Sequence, residues 1–155
     1  MSKTTNRTEN EESAGFHLAI KALGTLHRWL YRASGGKVGK TFFGSPVLLL
    51  TTTGRKTGRS RTWPLTYLGD EVNGFVVAAA YGGQPRHPGW YHNLQANPQV
   101  VVQHGEQTLT MIAEVVERDE RSRLWRRLIE AYPAYADYQR KTERQIPVVV
   151  LRQKP

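Results

Sequence analysis

The sequence predicts an α+β protein built on a mostly antiparallel β-barrel of about six strands. Segments rich in aliphatic and β-branched residues have the length and composition of strands. Most of them follow one another through short turns and not through long helices, which favours antiparallel pairing. Because six strands in a chain of 155 residues leave exposed edges unless the sheet curls, we expect a closed or nearly closed barrel.

The predicted strands can be followed along the chain. The first is a continuous apolar and β-branched run, and the second alternates only in part. Asn73-Gly74 and His104-Gly105 are turn sequences that separate later strands. The six strands are predicted at 46–53, 62–68, 75–80, 100–104, 108–116 and 146–151.

Three segments predict helices. Residues 15–33 carry apolar side chains at steps of three and four, the period of an amphipathic helix. This helix either packs on the domain or serves as a lid or a membrane-surface contact. A short helix is predicted at 88–96, and a longer one at 119–131 with Asp119 as its N-cap. A further turn is expected after Pro133.

Composition bounds the number of domains and the partners. A single domain is expected at 15–155, after a polar and disordered tail at 1–14. The absence of cysteine excludes disulfides, thiolate nucleophiles and iron–sulfur clusters. The chain has 22 Lys and Arg against 13 Asp and Glu, a formal charge of +9. This charge favours nucleic acid, an anionic membrane surface or a polyanionic small molecule as partner. Without a membrane-spanning run or a signal peptide, we expect a cytoplasmic protein.

The most informative segment runs from Thr51 to Arg61, TTTGRKTGRSR. It concentrates four cations in seven residues, and two glycines flank the first pair. Glycines let backbone N–H groups approach an anion closely, and the cations can then close around it. The spacing is neither a Walker A loop nor a Rossmann fingerprint. The segment is therefore either an anion-binding turn or a solvated basic hairpin.

Three further segments could line a site. Residues 78–83, AAAYGG, are small enough for a flat ligand, or they form a tight turn. Trp90 and Tyr91 could wall a ring system or pack in the core. The tyrosines Tyr132, Tyr135 and Tyr138 recur at three-residue spacing, so they share a helical face and could donate protons or simply pack. The histidines show no metal-ligand spacing, and no metal site is predicted.

Together these motifs resemble the deazaflavin-dependent nitroreductase family. The basic turn, Trp63-Pro64-Leu65, the alanine–glycine segment, the tryptophan–tyrosine segment ending at Pro98, the tyrosine repeat and the last strand occur in the family order. The resemblance covers about residues 15 to 152. It implies an FMN-binding-like split β-barrel, with an N-terminal helix and helical insertions, that binds coenzyme F420.

The resemblance also implies which residues form the site. The basic turn would hold the phosphate of this anionic coenzyme, and the other segments would line the deazaflavin ring. The implied cofactor-binding residues are Arg55, Lys56, Thr57, Arg61, Thr62, Trp63, Pro64, Leu65, Thr66, Ala78, Ala79, Ala80, Tyr81, Gly89, Trp90, Tyr91, His92 and Asn93. Tyr132, Tyr135 and Tyr138 would shape the substrate site, with Tyr135 as the proton donor or hydrogen-bond partner and solvent as the rival source.

The implied activity is hydride transfer from reduced coenzyme F420 to a planar hydrophobic acceptor. Quinones are the expected acceptors, with nitroaromatics as adventitious substrates. Ala80 and Tyr81 stand where nitro-activating members carry serine and lysine, which argues against nitroimidazole activation.

The alternatives are an FMN-binding split-barrel oxidoreductase, a nucleic-acid-binding module and a carrier or membrane-surface protein without turnover. No helix-turn-helix or RNP pattern supports a nucleic-acid partner. Peripheral membrane contact would use the N-terminal helix.

Overall fold

The computed structural model describes residues 41–42, 45–70, 72 and 74–155. These described residues form eight strands, three α-helices and a short 3-10 turn at Tyr81–Gly83. The strands are β1 (Thr41–Phe42), β2 (Ser45–Thr53), β3 (Ser60–Thr66), β4 (Leu68–Asp70), β5 (Gly74–Ala78), β6 (Gln99–His104), β7 (Gln107–Val116) and β8 (Val148–Gln153). The helices are α1 (Gly89–Ala96), α2 (Arg118–Ala131) and α3 (Ala134–Arg140).

All strand pairs in the described residues are antiparallel, which confirms the predicted α+β class. The sheet follows the order β1-β2-β6-β7-β8-β5-β4, and β3 pairs with β2. The described hydrogen-bond ladder does not close between β3 and β4. A single residue, Tyr67, connects these two strands in the sequence, so the two sides of the barrel are linked here by the chain and not by strand pairing. The barrel is therefore split, not fully closed.

The prediction of six strands was incomplete because β1 and β4 were missed. They have two and three residues, too few to show a pattern. The segment predicted as one strand at 62–68 is divided at Tyr67, since β3 pairs with β2 while β4 pairs with β5. An exchange of partners leaves no trace in a local pattern of side chains.

The described helices lie close to their predicted positions. The first spans Gly89–Ala96, and the second begins one residue before the predicted start. Asp119 as the N-cap was wrong: Glu117 holds that position in an extended conformation, without a side-chain capping bond. Asp119 lies in the first turn, where a carboxylate still interacts favourably with the helix dipole. The turn expected after Pro133 is α3.

Two buried clusters form the core. One fills the barrel and includes Leu48, Leu50 and Val77. The other lies between the sheet and the helices α2 and α3, and includes Leu124 and Leu128. Strand β5 contributes to both, because successive side chains point to opposite faces. The end of β5 is thus held between the barrel and the helices.

Polar contacts fix α2 and Tyr132, which follows it, to the segment that contains Tyr67 and β4. The buried Asp70 carboxylate pairs with Arg127 of α2, and Arg123 lies 3.8 Å away. Beyond α2, the Tyr132 hydroxyl donates a hydrogen bond of 2.7 Å to the carbonyl of Tyr67. The tyrosine segment is therefore anchored where the barrel is split.

The predicted tail at 1–14 and the amphipathic helix at 15–33 lie outside the described residues, so the domain boundary between them stays a prediction. Within the part of the chain that the structure describes, no helix is long and apolar enough to cross a membrane.

Candidate active site

The basic turn joins β2 to β3 in a hairpin that ends at the pair Thr53 and Ser60. The Gly54 N–H donates to the Arg59 carbonyl at 2.8 Å, and the Gly58 N–H donates to the Gly54 carbonyl at 2.7 Å. Gly58 has φ +68°, and a Cβ on Gly54 would lie 2.9 Å from the Thr57 hydroxyl oxygen. Both glycines are therefore required by the turn, which presents its cations to solvent.

Beside this turn lies an open cleft of about 230 Å³. The hairpin forms one side of the cleft, and the first half of α1 forms the other. The residues that line the cleft, within the described part of the chain, are Gly54, Arg55, Lys56, Thr57, Arg61, Trp63, Gly89 and Asn93. All eight except Gly54 belong to the predicted cofactor-binding set. The tertiary structure thus brings together residues from three of the motifs: the basic turn, Trp63-Pro64-Leu65 and the tryptophan–tyrosine segment.

Asn93 connects the two sides of the cleft. Its side chain is buried, and its Nδ2 donates to the Thr52 hydroxyl oxygen at 3.1 Å. Its Oδ1 accepts a hydrogen bond of 3.1 Å from the Arg55 N–H. Because each end of the amide has a partner, α1 holds the basic turn in a defined position.

Strand β3 continues from the turn along the barrel. Apart from the exposed Arg61, its predicted cofactor residues are partly buried: Thr62, Trp63, Pro64, Leu65 and Thr66. Trp63 and Leu65 pack against the barrel core. The Trp63 Nε1 is buried and has no hydrogen-bond partner among the described residues. A buried donor in a cleft-lining residue fits a site that receives a polar ligand atom.

The small-residue segment at 78–83 was predicted to line a flat ligand, but its three alanines are buried. Ala79 packs in the barrel cluster, whereas Ala78 and Ala80 pack in the helical cluster. Tyr81 follows with φ +49°, an uncommon conformation for a residue with a side chain. Gly83 also has positive φ, and a Cβ there would lie 2.6 Å from the Tyr138 carbonyl. The segment is therefore held tightly against α3.

Trp90 and Tyr91 pack in the barrel core, with exposed fractions of 3% and 8%. The Tyr91 hydroxyl accepts a 3.2 Å hydrogen bond from Gln95, and burial raises the pKa of this phenol. His92 is half-buried, with its ring 5.7 Å from that of His87. Both aromatic rings thus pack in the core, which was one of the two interpretations of the sequence. The contacts of residues 90–92 with a coenzyme stay predictions.

The three tyrosines form one cluster, centred on Tyr135. Its ring lies 6.0 Å from those of both Tyr132 and Tyr138, in edge-on arrangements. Tyr135 is 8% exposed, and burial, followed by its two tyrosine neighbours, raises the pKa of its phenol. It is therefore protonated at neutral pH and can donate a proton, but cannot act as a base. The cluster packs against Ala78 and Ala80 and does not line the cleft formed by the described residues.

Arg144 and His87 were missed by the sequence reasoning. The Arg144 guanidinium bonds to the Ala79, Ala80 and Gln84 carbonyls and to His87. One arginine among many before the last strand carries no local signal of this role. Among the described residues, no group of three or more His, Cys, Asp or Glu side chains could hold a metal ion.

An open barrel with a cationic, glycine-bounded turn at a cleft fits the class of proteins that bind an anionic coenzyme. Residues 24–153 match the sequence model of a family described as F420H(2)-dependent quinone reductase. The chain belongs to this family of oxidoreductases.

Relatives and solved structures agree. The chain is 42% identical over 139 residues to an F420H(2)-dependent quinone reductase of Mycobacterium tuberculosis (strain ATCC 25618 / H37Rv), covering 87% of this chain and 92% of the relative. A solved F420-H2 dependent reductase, FDR-A, is 45% identical, with a TM-score of 0.62 over 68% of this chain and 93% of its own. A structure described as a domain-swapped dimer is 38% identical, with a TM-score of 0.65 over 82% and 96% of the two chains.

The family confirms the resemblance, the enzyme class and coenzyme F420 as the cofactor. The FMN alternative is therefore not needed. Membership of an oxidoreductase family with an anionic coenzyme also accounts for the positive charge without a nucleic-acid partner. The individual site residues are not tested by these similarities and stay predictions.

Asn93 offers a test of the cleft's charge. We expect Asn93→Asp to weaken coenzyme binding about tenfold, since the carboxylate can still accept from the Arg55 N–H but no longer donates to the Thr52 hydroxyl oxygen, and it adds a negative charge beside the cations. Tryptophan fluorescence titration at low and high salt measures the change. Gln99→Glu, the same charge change at an exposed residue that does not line the described cleft, is the matched control. Equal losses in both variants would contradict the placement.

Proposed function

We propose that this chain reduces a quinone by hydride transfer from reduced coenzyme F420. The observation that carries the proposal is the cleft, in which Arg55, Lys56 and Arg61 meet the buried amide of Asn93. When bound, the reduced deazaflavin supplies a hydride and handles single electrons poorly. The protein would supply binding, orientation, exclusion of water and a proton.

The basic turn would bind the coenzyme's phosphate. Three cations border the cleft, and the turn's backbone is fixed by its own hydrogen bonds and by Asn93. A charge-assisted hydrogen bond contributes about 1.5–3 kcal/mol, so two or three would anchor an anion firmly. Because the turn is held in place before binding, less conformational entropy is lost when the anion arrives.

The ring would lie along β3 and the end of β5. Trp63 lines the cleft, and its buried Nε1 is a donor for a polar atom of the ring system. Gly89 leaves the start of α1 open on the cleft side. The chain from Ala78 to Gly89 connects the segment that packs against the tyrosine cluster with the start of α1 at the cleft.

Tyr135 would protonate the reduced acceptor. A quinone that receives a hydride also needs a proton on oxygen, and the Tyr135 phenol, whose pKa burial raises above its ordinary value, carries one at neutral pH. The Tyr132 hydroxyl already donates to the Tyr67 carbonyl, which leaves Tyr135 as the better donor. Tyr138 would shape the acceptor site.

A quinone fits better than a nitroaromatic. A planar apolar acceptor depends mainly on stacking and on exclusion of water, for which buried alanines and aromatic rings are suited. Ala80 is 4% exposed and carries no hydroxyl to bond a nitro group. We therefore propose nitroaromatics as adventitious substrates only.

The deciding experiment titrates the full chain with coenzyme F420 by tryptophan fluorescence and then adds menadione to the reduced complex without oxygen. We expect saturable binding followed by reoxidation of the coenzyme. Titration with FMN under the same conditions is the control, and we expect weaker binding. Binding without reoxidation would refute quinone reduction and leave only the coenzyme site. No binding of the coenzyme would refute the proposal altogether.

A further inference from the structure

Resting on the function proposed above, we propose that Arg144 is a positioning residue. It aligns the small-residue segment at 78–83 with α3, the tyrosine helix, which carries Tyr135 and Tyr138. The hydrogen bonds of its guanidinium, called the clamp below, hold only while His87 is uncharged. Arg144 does not line the cleft formed by the described residues, so it would act through the groups that it holds.

The Arg144 guanidinium grips the chain after β5 at four points. Its Nε donates to the Gln84 carbonyl at 2.9 Å, and its Nη2 donates to the Ala80 carbonyl at 2.7 Å. Its Nη1 donates to the Ala79 carbonyl at 3.1 Å and lies 3.1 Å from the Nδ1 of His87. A planar fork of five N–H donors matches several acceptors at fixed directions, which a lysine ammonium cannot do.

The contact with His87 defines the charge of that ring. Arginine has donors only, so a hydrogen bond between its Nη1 and Nδ1 requires the Nδ1 to accept with its lone pair. The His87 ring is then neutral and carries its proton on Nε2. Protonation of Nδ1 would remove the acceptor and bring two positive charges together.

Arg144 is itself fixed by α3. The Gln139 Nε2 donates to the Arg144 carbonyl at 2.8 Å, and its Oε1 accepts from the Ile146 N–H at 2.9 Å. Gln139 lies on the helix that carries Tyr135 and Tyr138. The network thus runs from the tyrosine helix through Arg144 to Ala79 and Ala80.

The same network reaches the cleft. His87 lies two residues before Gly89, which lines the cleft at the start of α1. Hydride transfer depends on the distance and angle between the reacting atoms, and a displacement of about 1 Å can cost about 100-fold in rate. Arg144 contacts the small-residue segment, α3 and the chain next to the cleft. It is therefore suited to set the alignment of the reacting atoms.

The surroundings of His87 favour its neutral form. Burial lowers its pKa most, and the positive charge of Arg144 and then His92 lower it further. The groups that face it are Arg144 from the segment after α3, and Tyr91 and His92 from α1. Because the folded pKa is lowered, the clamp is intact at neutral pH and is lost as the pH falls through that value, below about 6.5.

The test uses Arg144→Ala, Arg144→Lys and His87→Asn, with Arg140→Ala as the control. Arg140 is an exposed arginine at the end of α3 that pairs with Asp137, so its loss should change little. The measurements are coenzyme affinity, kcat and KM for menadione, from about pH 5 to about pH 8.

For Arg144→Ala we expect kcat to fall about tenfold or more, with coenzyme affinity within about threefold of the wild type. Arg144→Lys should recover only part of kcat, because one ammonium cannot satisfy the four acceptors. The wild-type kcat should decline on the acidic side, and His87→Asn should lose that decline, since its amide oxygen accepts without titrating.

Two results would overturn the proposal. One is an Arg144→Ala enzyme whose kcat at a temperature where it is fully folded equals that of the wild type. The other comes from NMR of the histidine ring nitrogens, which needs no coenzyme: a His87 that is protonated at about pH 6.5 would exclude the clamp. A wild type that binds the coenzyme poorly and shows no turnover would refute the proposed function and the role in turnover together, while the NMR would still decide the clamp.

Discussion

Replacing Lys56 and Arg61 together with alanine should weaken binding of coenzyme F420 about 100-fold. Both residues line the cleft, Lys56 within the hairpin turn and Arg61 in β3 just after it. Because both are exposed, water and salt screen them, so we expect about 1.4 kcal/mol from each and not the full value of a buried charge-assisted bond. The single variants should each lose about tenfold.

Arg59→Ala is the matched control for this double variant. Arg59 belongs to the same turn and is equally exposed, but it is not among the described residues that line the cleft. We expect its loss to change affinity by less than about threefold. Fluorescence titrations at low and high salt should show a weaker salt dependence for the double variant than for the wild type. Equal losses in all three single variants would mean that the turn binds by overall charge and not at this cleft.

Tyr135→Phe should lower kcat with menadione about 100-fold and leave coenzyme affinity unchanged. The substitution keeps the aromatic ring that packs between Tyr132 and Tyr138, and removes only the hydroxyl. A tyrosine hydroxyl carries its proton at neutral pH, and a positioned proton donor contributes about 100-fold to 10,000-fold in rate. The wild type should also show a solvent deuterium isotope effect on kcat that the variant lacks.

Tyr132→Phe distinguishes catalysis from packing. The Tyr132 hydroxyl donates to the Tyr67 carbonyl, so its loss should lower the free energy of unfolding by about 1 kcal/mol. A variant of Tyr135 that loses stability but keeps kcat would assign that residue to the core, and solvent would then be the proton source.

Local chemistry explains how much of the site the sequence could predict. The turn at residues 54–59 needs glycine for its backbone, and its cations lie close together in the chain, so both features can be recognised in a segment of eleven residues. The spacing of the tyrosines likewise predicts a shared helical face. Trp90 and Tyr91 show the limit, because an aromatic side chain suits a ligand wall and a barrel core equally well. Only packing places both in the core.

Partners that are distant in the chain account for the rest. The strand break at Tyr67 depends on which strands lie on each side, and the buried state of Asp70 depends on α2. Arg144 becomes a clamp only because carbonyls some 60 residues earlier converge on it. Such convergence has no sequence pattern, since any backbone carbonyl can accept a hydrogen bond.

The sequence by itself determined the antiparallel α+β architecture, the glycine-bounded cationic turn and the family. Strand composition, glycine geometry and charge act between near neighbours, and those interactions are encoded locally. The tertiary structure decided that Asn93 joins α1 to the basic turn, that the tyrosines lie behind the end of β5, and that Arg144 links them. These features depend on distances between residues far apart in the chain, which are set only when the barrel and its helices pack together.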